Sequence, residues 1–103
     1  MNTEELNSKI ISVLKLIYDP EIPVDIYNLG LIYNIDVRDD KMIDLTMTLT
    51  APNCPVADNI VQEVYTKVNE IEGVKDVNIN LVFDPPWDSS MASEVAQLQL
   101  GLL

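Results

Sequence analysis

The sequence predicts an α+β fold: a two-layer sandwich with helices over one face of a small, mixed, three-stranded sheet, in the order α-β-β-α-β-α. Two stretches carry apolar residues at helical spacing, and three others alternate apolar and polar residues at the strand period of two. A short polar break joins the first two strands, whereas a whole helix separates the second from the third. With 103 residues, 48% hydrophobic and 22% charged, the chain suits a single domain over 1–103, without repeat, linker or low-complexity run.

Leu6, Ile10, Val13, Leu14 and Ile17 predict an amphipathic helix from about Thr3 to Ile17, capped by Asn2 or Thr3, with Glu4 and Glu5 near its positive end. Asp19-Pro20 stops it, because the residue before a proline avoids the helical region. Residues 19–28 combine two prolines and three carboxylates with apolar side chains, which reads as a packed, functional loop. Leu31, Tyr33, Ile35 and Val37 then alternate with Ile32, Asn34, Asp36 and Arg38, a first strand with one face mostly wet. Asp39-Asp40-Lys41 is a hairpin turn. Ile43, Leu45, Met47 and Leu49, alternating with Asp44, Thr46, Thr48 and Thr50, form an antiparallel second strand.

Ala57, Ile60, Val61, Val64, Val68 and Ile71 form the stripe of the second helix. Pro55 suits its first position, Cys54 its N-cap, and Gly73 the left-handed position past its end. Val77, Ile79, Leu81 and Phe83 make a third strand, which Asp84-Pro85-Pro86-Trp87-Asp88 breaks. Met91, Val95, Leu98 and Leu102 mark a short final helix.

Strand direction brings three connections together. The first strand opposes the second, and a returning helix makes the third parallel to the second, whichever of the two it pairs with. The loop before strand one (19–28), the loop after strand two (50–55) and the loop after strand three (84–88) therefore share one end of the sheet. The expected site holds Cys54 at a helix N-terminus, Thr50 beside it, several of Asp19, Glu21, Asp25, Asp84 and Asp88 near it, and Trp87 as a lid.

Composition narrows the chemistry. Six basic against seventeen acidic residues give a net charge of −11, which repels phosphate backbones and anionic lipid. No nucleic acid and no membrane are expected as partners; metal ions and basic proteins are the natural counterparts. No apolar run approaches the roughly 20 residues that span a bilayer, and the acidic N-terminus has no signal-peptide core. The expectation is a cytoplasmic protein whose single cysteine is a reduced thiol. The absence of histidine removes Cys-His and Ser-His-Asp catalysis and most zinc sites, and three isolated glycines make no phosphate loop.

A helix N-terminus favours a Cys54 thiolate by about 0.3–1 kcal/mol, rising to ~2 when partly buried. One carboxylate at about 6 Å opposes it by up to ~3 kcal/mol at an effective dielectric near 20. Cys54 is therefore a poor covalent nucleophile, but a bound cation turns the neighbouring acids from repulsive into attractive. Iron–sulfur clusters usually take four cysteine ligands, so one chain supplies a single ligand to a shared or transient site. The others come from a second copy in a homodimer, a partner or a client.

The three motifs are familiar in combination. Asp19-Pro20-Glu21-Ile22-Pro23-Val24 leading to Leu29-Gly30-Leu31-Ile32-Tyr33, Met47-Thr48-Leu49-Thr50 with Cys54-Pro55, and Asp84-Pro85-Pro86-Trp87 resemble the SufT/PaaD-like family of metal–sulfur cluster biosynthetic proteins. That family also occurs as the N-terminal domain of Mrp-type cluster-carrier ATPases. The resemblance covers nearly the whole chain. It implies a domain similar to the C-terminal domain of NifU-type scaffolds, acting with the iron–sulfur assembly machinery on client apoproteins and handling iron or a transient cluster. It implies Cys54 as the central residue, the acidic motif at Asp19 and Glu21, the threonine at Thr50 and the aromatic at Trp87. Asn28 stands where the family often has Asp, and Asp88-Ser89-Ser90 replaces a segment that more usually contains proline. Two rivals to a maturation factor are a metal-free adaptor in which Cys54 is packing, and a thiol enzyme.

Overall fold

A computed structural model describes residues 2–19, 23–50 and 57–101 of the chain. Its elements are α1 (Thr3–Leu14), β1 (Ile32–Val37), β2 (Met42–Met47), α2 (Ala57–Asn69), β3 (Asp76–Leu81), a 3₁₀ turn (Ser89–Met91) and α3 (Glu94–Gln99). The predicted α+β order holds, with one added turn. β2 is the central strand: β1 pairs with it antiparallel and β3 parallel, which answers the pairing the sequence left open.

Both long helices feed one core. Leu6, Ile10 and Leu14 of α1, Ile60, Val64 and Val68 of α2, and Ile43, Leu45 and Met47 of β2 are all buried in a single cluster. α1 lies against β1 and α2, and α2 lies against β3. Full burial of one such aliphatic side chain contributes roughly 1.5–3 kcal/mol. The opposite face of the sheet is polar. There Arg38 pairs with Asp44 across β1 and β2, and Asn78 of β3 donates to Asp44 at 3.3 Å. No helix among the described residues is long and apolar enough to cross a membrane.

Four boundaries differ from the sequence reading. α1 starts as expected, with the Asn2 side chain accepting from the Glu5 amide at 2.7 Å, but it ends at Leu14 rather than Ile17. The reason is a local hairpin: the Ile17 carbonyl accepts from the Ile26 amide at 2.8 Å, and Tyr18 bridges to Asp25. In β1 the register slips between Ile32 and Asn34, so that Ile32 faces Met47. This bulge places Ile32 against the core and releases Tyr33 from the phase of Ile35 and Val37. β3 ends at Leu81, so Leu81 and Phe83 are exposed rather than core.

The last difference lies at the C-terminal end. Met91, Val95 and Leu98 are exposed, the latter two by 63% and 64%, while Ala92 and Ala96 are the buried residues. At Met91 the segment passes very close to Gly30, whose φ is +81°, which leaves no room for a side chain at that position.

Candidate functional site

The loop over residues 23–31 is packed, as its composition suggested. Val24, Ile26, Leu29 and Leu31 are buried, and the turn that follows Asp25 is closed by side-chain bonds. The Asn28 amide donates to Asp25 Oδ2 at 2.9 Å, and Asn28 Nδ2 donates to Asp25 Oδ1 at 2.8 Å. Asp25 is only 8% exposed, so both its oxygens are spent on holding the turn. An aspartate at 28 would set one carboxylate against another. That is the physical reason why asparagine suits this chain.

The C-terminal segment straps across the same end of the molecule. Trp87 Nε1 donates to the Leu29 carbonyl at 2.7 Å, Tyr33 Oη donates to the Pro85 carbonyl at 2.8 Å, and the Ser93 amide donates to the Asn28 carbonyl at 2.7 Å. The Asp88 side chain caps the 3₁₀ turn by accepting from the Ser90 amide at 2.9 Å. Meanwhile β2 runs on toward this end: the Thr48 amide donates to the Leu31 carbonyl at 2.8 Å. The described parts of the three proline-marked connections therefore meet, as strand direction required.

Between them lies a cavity of about 80 Å³ lined by Thr48, Leu49, Thr50, Phe83, Pro86 and Trp87. Two expected site residues, Thr50 and Trp87, thus share one small space. The indole of Trp87, expected as a lid, is a wall held by its own hydrogen bond. Asp19 is buried but stands in the hairpin beside Val24 and does not line the cavity. Cys54, with the N-cap and first-turn roles expected for it and Pro55, and Glu21 lie outside the described residues. Among the described residues no three His, Cys, Asp or Glu side chains form a group that could hold a metal ion.

Sequence reasoning missed Thr48. Alternation along β2 put it on the wet face with Asp44 and Thr46, yet it is fully buried. Among the described residues its Oγ1 is the one buried side-chain polar atom without a hydrogen-bond partner. Leaving a hydroxyl in that condition costs about 1–3 kcal/mol. The signal available was the Pro-Pro-Trp stretch, which strand direction had already assigned to this end of the sheet.

One titratable group far from this end is perturbed. Tyr65 Oη donates to Asp76 Oδ1 at 3.1 Å, and that hydrogen bond, then the charge of Asp76, then desolvation raise the Tyr65 pKa above its ordinary value. Asp76 is paired with Met42 at the start of β2, opposite the cavity.

Comparison with known proteins agrees with this architecture. A family model described as iron–sulfur cluster assembly protein matches residues 7–81. The chain is 53% identical over 105 residues to a Fe-S protein maturation auxiliary factor of Porphyromonas gingivalis, covering 100% of each. It is 39% identical over 87 residues to the Fe-S protein maturation auxiliary factor SufT of Staphylococcus aureus, covering 84% of this chain and 99% of that one. The crystal structure of a domain of unknown function from Bacillus anthracis superposes with a TM-score of 0.90 at 33% identity, covering 98% of this chain and 96% of that one. The likeness spans the helices, the mixed sheet and the strap alike, and the chain belongs to the iron–sulfur cluster assembly protein family.

Proposed function

We propose that this chain is a non-catalytic auxiliary factor in the maturation of iron–sulfur proteins, passing iron or a cluster to client apoproteins through Cys54. The observation that supports this reading best is the end-to-end likeness to the Porphyromonas gingivalis factor, with no segment of either chain left over. Iron or cluster is cargo on this reading. Cys54 supplies one thiolate, and the client, the assembly machinery or a second copy supplies the rest of the usual four ligands. Thr50 and Trp87 wall a cavity next to the segment that leads into Cys54. Asp19 belongs to the loop that the strap fastens, and the resemblance implies that Asp19 and Glu21 together favour a cation over an anion. A net charge of −11 steers the protein toward basic partner surfaces rather than nucleic acid or anionic membranes. A cytoplasmic setting suits a thiol that must stay reduced.

The test is Cys54→Ser. Client enzyme activity is expected to fall to the level of a deletion while the variant keeps the wild-type circular dichroism and urea midpoint. Full client activity with Cys54→Ser defeats the cargo role.

A second reading, a metal-free adaptor, draws support from the fate of two acids near the site. Asp25 and Asp88 are both committed to capping turns. Anaerobic incubation with iron and sulfide separates the readings: iron bound above the level of Cys54→Ala favours delivery, and none favours the adaptor.

A further inference from the structure

We propose that the outer edge of β3, with the groove between it and α2, takes up an extended segment of a basic partner protein as a fourth strand of the sheet. This docking surface goes beyond the maturation reading and does not involve Cys54.

β3 lies at one edge of the sheet, with β2 on one side and no strand on the other among the described residues. Met47 pairs with Leu81, and its carbonyl accepts from the Val82 amide at 2.9 Å. In a parallel ladder that bond fixes the phase: the even-numbered residues of β3 turn their backbone groups to β2, while Val77, Ile79 and Leu81 turn theirs outward. The Val77 amide is covered by its neighbour, donating to Asp76 Oδ1 at 2.8 Å. The N–H groups of Ile79 and Leu81, with the outward carbonyls, remain as a template for pairing. β1, the other edge, is guarded by its bulge, whereas β3 pairs in unbroken register and holds no proline.

Beside this edge lies a groove of about 360 Å³ lined by Val61, Gln62 and Tyr65 of α2 and by Val77 and Ile79 of β3. At roughly 30 Å³ per water, that is room for side chains and not only for a few waters. Three of these five lining residues are aliphatic, and Tyr65 adds the body of its ring. A strand laid on the edge therefore sets every second side chain against apolar surface.

Charge selects the occupant. Tyr65 Oη and the Val77 amide both donate to Asp76 Oδ1, which fixes a carboxylate beside the groove. Residues 57–81 carry five acidic side chains against two lysines, and one of these, Lys67, is paired with Glu63 at 3.0 Å. A second copy would bring another net charge of −11 to this edge. A segment that alternates apolar residues with lysine or arginine suits both the groove and the charge around it.

The probe is an acetylated heptapeptide amide alternating lysine with valine, added to metal-free protein and followed by amide hydrogen exchange. In the free protein the Ile79 and Leu81 amides are expected to exchange fast and those of Asn78 and Asn80 slowly. Saturating peptide is expected to slow Ile79 and Leu81 at least about tenfold and to leave Asn78 and Asn80 as they were. Methylating the peptide's backbone nitrogens at the lysines or at the valines gives two isomers with the same side chains. Only one edge of an added strand faces β3, so one isomer is expected to lose binding and the other to keep it. Glutamate in place of lysine is expected to weaken binding at least about tenfold. Leu81→Pro deletes one outward N–H at an exposed position and spares the β2 ladder; it is expected to weaken binding about fivefold with a urea midpoint near wild type. Unchanged exchange at Ile79 and Leu81, equal binding by both isomers, or full affinity in Leu81→Pro overturns strand addition. A glutamate peptide that binds as well overturns the basic partner. So does protection of Ile79 and Leu81 that rises with protein concentration alone, the sign of a second copy on this edge. Cys54→Ser is expected to keep peptide binding even when it abolishes maturation, so the two readings fail separately.

Discussion

Replacing Gly30 with alanine tests whether the strap is built on the loop in the way described. Gly30 has φ +81°, where an L side chain costs about 1–2 kcal/mol. The added Cβ would overlap the Met91 carbonyl oxygen and lie 2.9 Å from the Met91 carbonyl carbon and 3.2 Å from its Cβ. Carbon atoms rest at about 3.5–4.0 Å, so the 3₁₀ turn must retreat by at least about 0.6 Å. Met91 is backbone-tied between Trp87 and Ser93, whose bonds to the Leu29 and Asn28 carbonyls are both 2.7 Å long. Weakening both adds about 1–2 kcal/mol, for a total near 2–4 kcal/mol. With a urea slope of about 1–3 kcal/mol/M, the midpoint falls by roughly 0.7–4 M, about 1.5 M at the middle of both ranges. Trp87 is the only tryptophan, so its emission reports the strap while far-ultraviolet circular dichroism reports the helices. The folded Gly30→Ala protein is expected to show red-shifted emission with its helical signal kept. An unfolding free energy within about 0.5 kcal/mol of wild type, with unchanged emission, refutes the packing of Met91 on Gly30.

Two further outcomes follow from the same geometry. Asn28→Asp replaces a donor to Asp25 by a second carboxylate at hydrogen-bond distance, and is expected to cost about 2–3 kcal/mol at pH 7. The folded variant holds a proton between the two acids more tightly than the unfolded chain does. Its stability is therefore present at low pH and lost as pH rises, and urea midpoints at pH 4 and 7 should differ for Asn28→Asp but not for Asn28→Ala. At the other end of the sheet, one of the four tyrosines should ionise above its ordinary value of 10.0, since Asp76 holds the Tyr65 proton. The raised value means that this contribution is present below the ordinary tyrosine range and fades as pH climbs through it. Spectrophotometric titration of Asp76→Asn should return Tyr65 to the ordinary range, and an unmoved curve sinks the assignment.

What the sequence discloses depends on whether a residue's surroundings are local. In β2, Ile43, Leu45, Met47 and Leu49 are buried as alternation requires, because the partner strands and both helices lie on the side that the pattern marks. Strand directions alone place three connections at one end. β1 keeps Leu31, Ile35 and Val37 on the core side and departs from strict alternation at Ile32 and Tyr33, which are equally good strand residues. The choice between them is made by Met47 across the ladder and by Pro85 from the far end of the chain. The final helix shows the same limit: large apolar residues usually mark the buried stripe, but here Ala92 and Ala96 are buried while Val95 and Leu98 are exposed. Thr48 carried no local sign at all. Its burial is imposed by residues that follow β3.

The distribution of charge at this end has a consequence for sulfur. The sequence alone raised the prospect of a thiolate opposed by close carboxylates, yet the acids whose contacts are described are occupied elsewhere. Asp25 is held by Asn28, and Asp88 caps Ser90. Among the described residues, those that line the cavity are two threonines and four apolar side chains. The net charge of the whole chain is spread over the surface and screened beyond about 8–10 Å at ordinary ionic strength. The acidity of the protein can then act at long range in partner choice. Raising the salt should accordingly weaken association with a basic partner, read by titration calorimetry, and an affinity that stays the same from low to high salt would show that net charge does not choose the partner.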